Sequence, residues 1–322
     1  MKKILTVSIQ TIITFAFCFI VLCPNPALAQ TQEENRKGVL PIQMIDTRSQ
    51  SMAGTTIADV YGRPSIGINP ALSGLFDKHS FIQFNTNYNW DTNLMIHDLS
   101  LATMYSGPHH ITARFGLLHG APDKLPFTKP SSIPDPDIIM YRGELAYAYA
   151  FSNYFSLGAL QSISLTSNKD SQNWNYYTDL GLVYAPDGTV SYGMVFRGLG
   201  HETAYEIIES GETILSRRNA RKILEIGITL QYPIQERTYL SISFANEKRF
   251  GEDGLWYKGG FEIIPLSFID IRAGAMVNFE QSLFMPRFGL GINTNVIRFD
   301  YMIAPGKVNG EQFHQLGLTL QF

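Results

Sequence analysis

Phe313-His314-Gln315-Leu316-Gly317-Leu318-Thr319-Leu320-Gln321-Phe322 is the stretch that decides the fold of this chain. Leu316, Leu318, Leu320 and Phe322 share one parity, and Gln315, Gly317, Thr319 and Gln321 the other. A period of two makes one face of a strand apolar and the opposite face polar. As an edge strand of a soluble sheet, such an apolar face would invite aggregation. In an outer-membrane barrel it is the closing strand, with leucines toward lipid and polar groups toward the lumen.

Working outward, the other end of the chain agrees. Lys2 and Lys3 precede a largely apolar run, Ile4 to Leu22, and Ala27-Leu28-Ala29 offers small residues before Gln30. This predicts a cleaved signal peptide over residues 1–29. Pro24 and Pro26 argue against a retained anchor, and Leu22 is too large for a lipid-attachment site at Cys23. Both cysteines, Cys18 and Cys23, lie in the signal, so the exported chain has no thiol for disulfides, zinc or nucleophilic catalysis. The formal net charge of −3 for the whole chain falls to −5 without Lys2 and Lys3, which gives no sign of a nucleic-acid partner. Aromatic residues are many and charged residues only 16%. No stretch after the signal reaches the ~20 apolar residues of a membrane helix.

From residue 78 onward the alternation predicts an all-β domain, a single 14-stranded antiparallel transmembrane β-barrel. The expected strands are 79–90, 95–105, 110–119, 138–151, 154–166, 174–186, 189–198, 221–232, 237–247, 255–264, 267–279, 285–294, 296–304 and 313–322. An even number suits a single-chain barrel, and short turns alternate with longer connections as periplasmic turns and outer loops do. The two longest loops, 120–137 and 199–220, differ in character. The first carries Pro122, Pro126, Pro130, Pro134 and Pro136, which stiffen it. The second holds Glu206, Glu209, Arg217 and Arg218, and reads either as a solvated loop or as a short helix over the mouth that contacts a partner.

Strand charges fall opposite the apolar faces. The expected lumen set is Asp98, Arg114, Arg142, Glu144, Asp179, Arg197, Glu225, Lys258, Glu262, Asp270, Arg272, Arg287, Arg298 and Asp300. A lipid-facing Arg or Lys at the membrane midplane costs ~2–4 kcal/mol, so these side chains belong inside. Their balanced signs predict ion pairs filling a narrow lumen rather than a one-sign selectivity ring.

Residues 30–77 do not alternate and form an expected N-terminal periplasmic or plug segment. In it stand Arg48-Ser49, Met52-Ala53-Gly54, Ala58-Asp59 and Asn69-Pro70-Ala71-Leu72. Later come Val183-Tyr184-Ala185-Pro186, Gly259-Gly260-Phe261-Glu262, Ile271-Arg272-Ala273-Gly274 and His314-Gln315-Leu316-Gly317. In this order the pieces resemble FadL-like outer-membrane proteins, closest to the PorV/PorQ group associated with type IX secretion. Gln315 departs from the basic residue frequent there. The resemblance implies a fourteen-stranded barrel with residues of about 46–77 in its periplasmic mouth. Asn69-Pro70-Ala71 is then either a fixed entry turn or a plug element that moves during transport. Pro70 keeps Asn69 out of helical geometry in both cases.

No catalytic constellation emerges. His97-Asp98 are strand neighbours on opposite faces. His109-His110 lack a nearby third ligand, and there is no G-x-S-x-G elbow. The expectation is a non-enzyme with no cofactor and no metal. Its partners would be outer-membrane lipid and secretion-system or exported proteins. The alternative is a FadL-like passive transporter of small hydrophobic molecules, favoured if inward Met104, Met276, Met302 and Tyr177 line an apolar pocket.

Overall fold

The computed structural model describes residues 45–61, 67–75, 80–89, 94–104, 107–120, 138–167, 171–207, 213–235, 238–266, 268–294, 296–305 and 312–321. The expected signal 1–29, the proline-rich loop and Phe322 lie outside them. Fifteen strands follow three short helical turns. The strands are β1 (Phe81–Asn89), β2 (Leu94–Met104), β3 (His109–Gly120), β4 (Ile138–Ser152), β5 (Phe155–Ser167), β6 (Ser171–Tyr184), β7 (Val190–Ile207) and β8 (Thr213–Asn219). They continue as β9 (Ile223–Gln235), β10 (Thr238–Arg249), β11 (Trp256–Leu266), β12 (Ile269–Asn278), β13 (Leu283–Asn293), β14 (Ile297–Pro305) and β15 (Gln312–Gln321).

Fourteen of these close a ring by antiparallel neighbour pairing. β15 pairs with β1, from Phe81 opposite Gln321 to Asn89 opposite Phe313. β6 pairs with β7, and β7 with β9, which completes the circle. Closure leaves no barrel edge, which is how a sheet satisfies its backbone groups in hydrocarbon. Period two then divides the side chains. Phe115, Leu145, Phe244, Leu290, Phe299 and Leu316 are more than half exposed on the outer face, while their strand neighbours are buried inside. Aliphatic and aromatic residues therefore wrap the ring as a lipid-compatible belt.

The strand at 199–220 corrects an expectation. Its described parts, 199–207 and 213–219, are strand rather than helix or irregular loop. β7 runs on to Ile207 and turns back as β8, with His201 opposite Asn219 and Ile207 opposite Thr213. β9 meets β7 only from Arg197 opposite Ile223 downward, so the hairpin projects past the end of β9. Two local irregularities permit the change of partner. The β6–β7 register shifts between Thr178 and Leu180. Gly198 takes φ 77°, a left-handed conformation that side chains disfavour.

The six connections at the other end are short. In the one between β6 and β7, Asp187 Oδ1 accepts from Thr189 N at 2.7 Å and from Val190 N at 2.9 Å, a side-chain-closed turn.

Candidate functional site

The interior of the ring is occupied by the segment that precedes it. α1 (Thr47–Ser51) is capped by Asp46, whose Oδ1 accepts from Ser49 N at 2.9 Å. A 3-10 turn follows at Thr56–Ala58, and a second at Pro70–Leu75. Met52, Ile57, Ala58, Ile68, Ala71 and Leu72 have 1% exposure or less, unusual for a short segment without a partner sheet of its own. The barrel wall is that partner.

Asn69 shows how the segment is fastened. Its Nδ2 donates to Ile57 O at 2.8 Å and to Leu182 O of β6 at 3.1 Å. Its Oδ1 accepts from Ala71 N at 3.0 Å. One side chain thus closes its own turn, ties two parts of the plug together and holds the wall. Pro70 and Ala71 lie against the wall at Gly158, where a Cβ would stand 2.5 Å from the Pro70 carbonyl carbon. Nearer the short-turn end, Tyr61 Oη donates to Asp187 O at 2.7 Å and Ser191 Oγ to Ala58 O at 2.5 Å.

Wall glycines repeat this fit. Cβ atoms at Gly260 and Gly274 would each meet Met52 backbone at 2.6 Å, and one at Gly317 would meet Thr47 Oγ1 at 2.7 Å. These glycines share the inward parity, so the plug backbone lies directly on the sheet where no side chain intervenes.

The charged residues form three groups. In the first, Arg272 Nε donates to Glu262 at 2.6 Å, Nη2 to Asp270 at 2.6 Å and Nη1 to Asp300 at 2.8 Å. Arg298 lies 2.8 Å from Asp270 and 2.9 Å from Asp300. Arg48 of the plug joins this group with a two-point contact to Glu262, at 3.0 and 2.5 Å, and reaches Asp59 at 2.6 Å. The second group is Arg114 with Asp98 at 3.0 Å and Glu144 at 3.9 Å, and Arg142 with Glu144 at 2.6 Å. Asn85 bridges it to the plug, donating to Asp98 at 2.9 Å and accepting from Thr47 Oγ1 at 3.1 Å.

The third group lies toward the long-loop end. Lys258 Nζ is 2.7 Å from Glu225 and 2.5 Å from Glu247, and Arg197 is 2.8 Å from Glu225. Arg197 also donates to Ile68 O of the plug at 2.5 Å. Asp179 and Arg287 are half-buried. Asp179 accepts from Gly198 N at 3.0 Å, beside the register shift. Arg287 donates to Gln50 O of the plug at 3.3 Å. Buried charges held this way form a filling of paired ions. Removing one partner is costlier than the pair is stabilising, because the other charge stays buried.

Apolar clusters also fill the interior, and one of them stands at the long-loop end. Trp256 at the start of β11, Met276 near the end of β12, and Leu283 and Met285 at the start of β13 pack together at the long-loop end. Ala53 of the plug forms their floor. The Trp256 ring lies under Arg249, 4.7 Å from guanidinium carbon to ring centroid. Its Nε1 is buried and has no hydrogen-bond partner among the described residues. Met302 and Tyr177 are buried on inward positions elsewhere, and the Met104 side chain is outside the described set.

Arg48, Asp59 and Glu247 were not in the sequence-derived set. Glu247 carried a readable signal, sharing the inward parity of Ser241, Ser243 and Ala245. Arg48 and Asp59 lie in a segment without alternation, so no period assigned them a face.

No protein-family model and no curated protein matches this sequence. Solved structures do match in fold. The toluene transporter TodX of Pseudomonas putida has a TM-score of 0.56 at 12% identity, covering 88% of this chain and 99% of its own. The monoaromatic hydrocarbon channel CymD gives 0.59 at 12% identity, covering 88% and 98%. The toluene transporter TbuX of Ralstonia pickettii gives 0.58 at 12% identity, covering 89% and 99%. At such identities the likeness is one of architecture: this chain folds as those fourteen-strand barrels do, over nearly their whole length.

Proposed function

We propose that the protein is a FadL-like outer-membrane channel that admits small hydrophobic molecules. The observation that carries this reading is the apolar patch of Trp256, Met276, Leu283 and Met285 inside the long-loop end, floored by Ala53. Four large apolar side chains there face inward beside the plug, at the end from which the long loops leave. Such a patch is what an apolar solute entering from outside would meet first. The belt of exposed aliphatic and aromatic side chains supports an outer-membrane location. The shared fold with hydrocarbon channels supports the transport reading over that of a secretion accessory. The proline-rich stretch 121–137 lies outside the described residues.

The test is uptake of a fluorescent hydrophobic solute by vesicles containing the purified barrel. Uptake should exceed that of empty vesicles, and Met276→Asp should reduce it severalfold while the barrel still migrates as a compact, heat-modifiable band. Equal uptake with and without protein would overturn the proposal.

A further inference from the structure

On the outer face of the wall, three strands bring two imidazoles together. His97 of β2 and His119 of β3 have their Nε2 atoms 3.3 Å apart, with the rings stacked at 5.3 Å between centroids. They are diagonal neighbours, since His97 pairs with Leu117 and His119 with Met95. Thr86 of β1 places its Oγ1 2.8 Å from His97 Nδ1. Phe84 stacks on the other side of His97, at 6.2 Å and 12° between planes. His119 is the next-to-last residue of β3, so the pair sits at the long-loop rim rather than at mid-wall.

We propose that His97 and His119 form a transition-metal site of the zinc type. Two facing Nε2 atoms at this distance either share one proton in an N–H···N hydrogen bond or, both deprotonated, hold an ion between them. Zn–N bonds of about 2.0–2.1 Å at tetrahedral angles place two ligand nitrogens about 3.3–3.4 Å apart, whereas square-planar angles place them at about 2.9 Å. The observed 3.3 Å fits the tetrahedral case. Thr86 supplies the orienting contact that metal-binding histidines have on their second nitrogen, which leaves the His97 Nε2 lone pair directed at the ion. The Phe84 ring limits the rotation of His97.

Among the described residues, no group of three or more His, Cys, Asp and Glu side chains is placed to hold a metal. No described residue fills the other two coordination positions, which are open to water or to an exogenous donor. The bound ion would accept an exogenous donor at the long-loop rim.

The experiment uses the purified barrel in mild detergent, carrying no polyhistidine tag. Zn²⁺ is titrated by calorimetry, and Co²⁺ serves as a spectroscopic probe, since tetrahedral Co²⁺ absorbs far more strongly than octahedral. Wild type should bind one equivalent of Zn²⁺ and give the tetrahedral Co²⁺ spectrum. His97→Gln and His119→Gln should each weaken binding tenfold or more. Thr86→Val removes no ligand yet should weaken it by about tenfold. His314→Gln, on the same outer face but outside the pair, should leave binding unchanged. Heat-modifiable migration reports folding of each variant. Absence of a tetrahedral Co²⁺ spectrum in wild type overturns the proposal without recourse to variants. So does Zn²⁺ binding that survives both His97→Gln and His119→Gln at wild-type strength.

Discussion

At the scale of single residues, Arg48 is the hinge between plug and barrel chemistry. Its guanidinium spans Asp59 within the plug and Glu262 of β11, all three at 4% exposure or less. The ring of Asp270, Arg272, Asp300 and Arg298 keeps its own contacts without it. Arg48→Met should therefore leave the barrel assembled while loosening the plug. Glu262→Gln should do more damage, because Arg48 and Arg272 both lose a charged partner in a buried site. Breaking a buried pair by removing one member costs ~3–5 kcal/mol. Limited proteolysis of the plug and thermal unfolding of the heat-modifiable form separate the two effects. A plug equally protected in Arg48→Met and wild type would show that the glycine seat and the remaining hydrogen bonds retain it.

The seat itself was partly legible. Gly158, Gly181, Gly193, Gly260, Gly274 and Gly317 all stand on the inward parity of their strands. In a sequence, glycine at a strand interior reads as weakness or a bulge. Only with the plug in place does it read as room for another backbone. The Asn69 bond to Leu182 was likewise invisible, because nothing local specifies which strand a turn 113 residues upstream will meet. Gly181→Val tests the point. Its side chain would enter the volume of Asn69 and Pro70, so the plug should be displaced and opened to protease although the outward face of β6 is unchanged.

At the scale of the element, alternation decided nearly everything and failed where partners change. Thirteen strands read from periodicity have counterparts with ends moved by a few residues. β7 kept its alternation past Gly198, but the glycine and the charges of 199–220 resembled a loop, and pairing of 171–178 with 199–206 is a long-range fact. Parity gives a direct test on β9. Ile228 faces outward opposite Phe244, and Thr229 faces inward, where its hydroxyl lies 2.9 Å from Ser243 Oγ. Ile228→Arg should impair insertion by the ~2–4 kcal/mol of a lipid-facing cation at the midplane. Ile228→Phe, which reproduces the chemistry of its neighbour Phe244, should insert normally. Folding yield into lipid vesicles measures both. Equal yields would mean that β9 is turned the other way.

For the whole molecule, the question is whether the plug must move for a solute to pass. The interior beside and below the apolar patch holds plug backbone seated on wall glycines and three groups of ion pairs, so a solute at Met276 has a packed obstacle beneath it. The chain offers a clean way to lock that obstacle, since Cys18 and Cys23 are its only cysteines and both precede residue 30. A Cβ at Gly317 of β15 would lie 3.1 Å from Thr47 Cβ at the start of α1. Disulfides need about 3.5–4.5 Å between Cβ atoms, a separation that a small outward shift of α1 supplies. In a protein beginning at Gln30, Thr47→Cys with Gly317→Cys should form a bond under mild oxidation, seen as a mobility shift under denaturing conditions. If transport requires the plug to leave its seat, oxidised vesicles should lose solute uptake and regain it on reduction. The single variants should transport at equal rates in both conditions. Uptake that persists through the locked plug would place the route along the wall and leave Asn69-Pro70-Ala71 as a fixed turn.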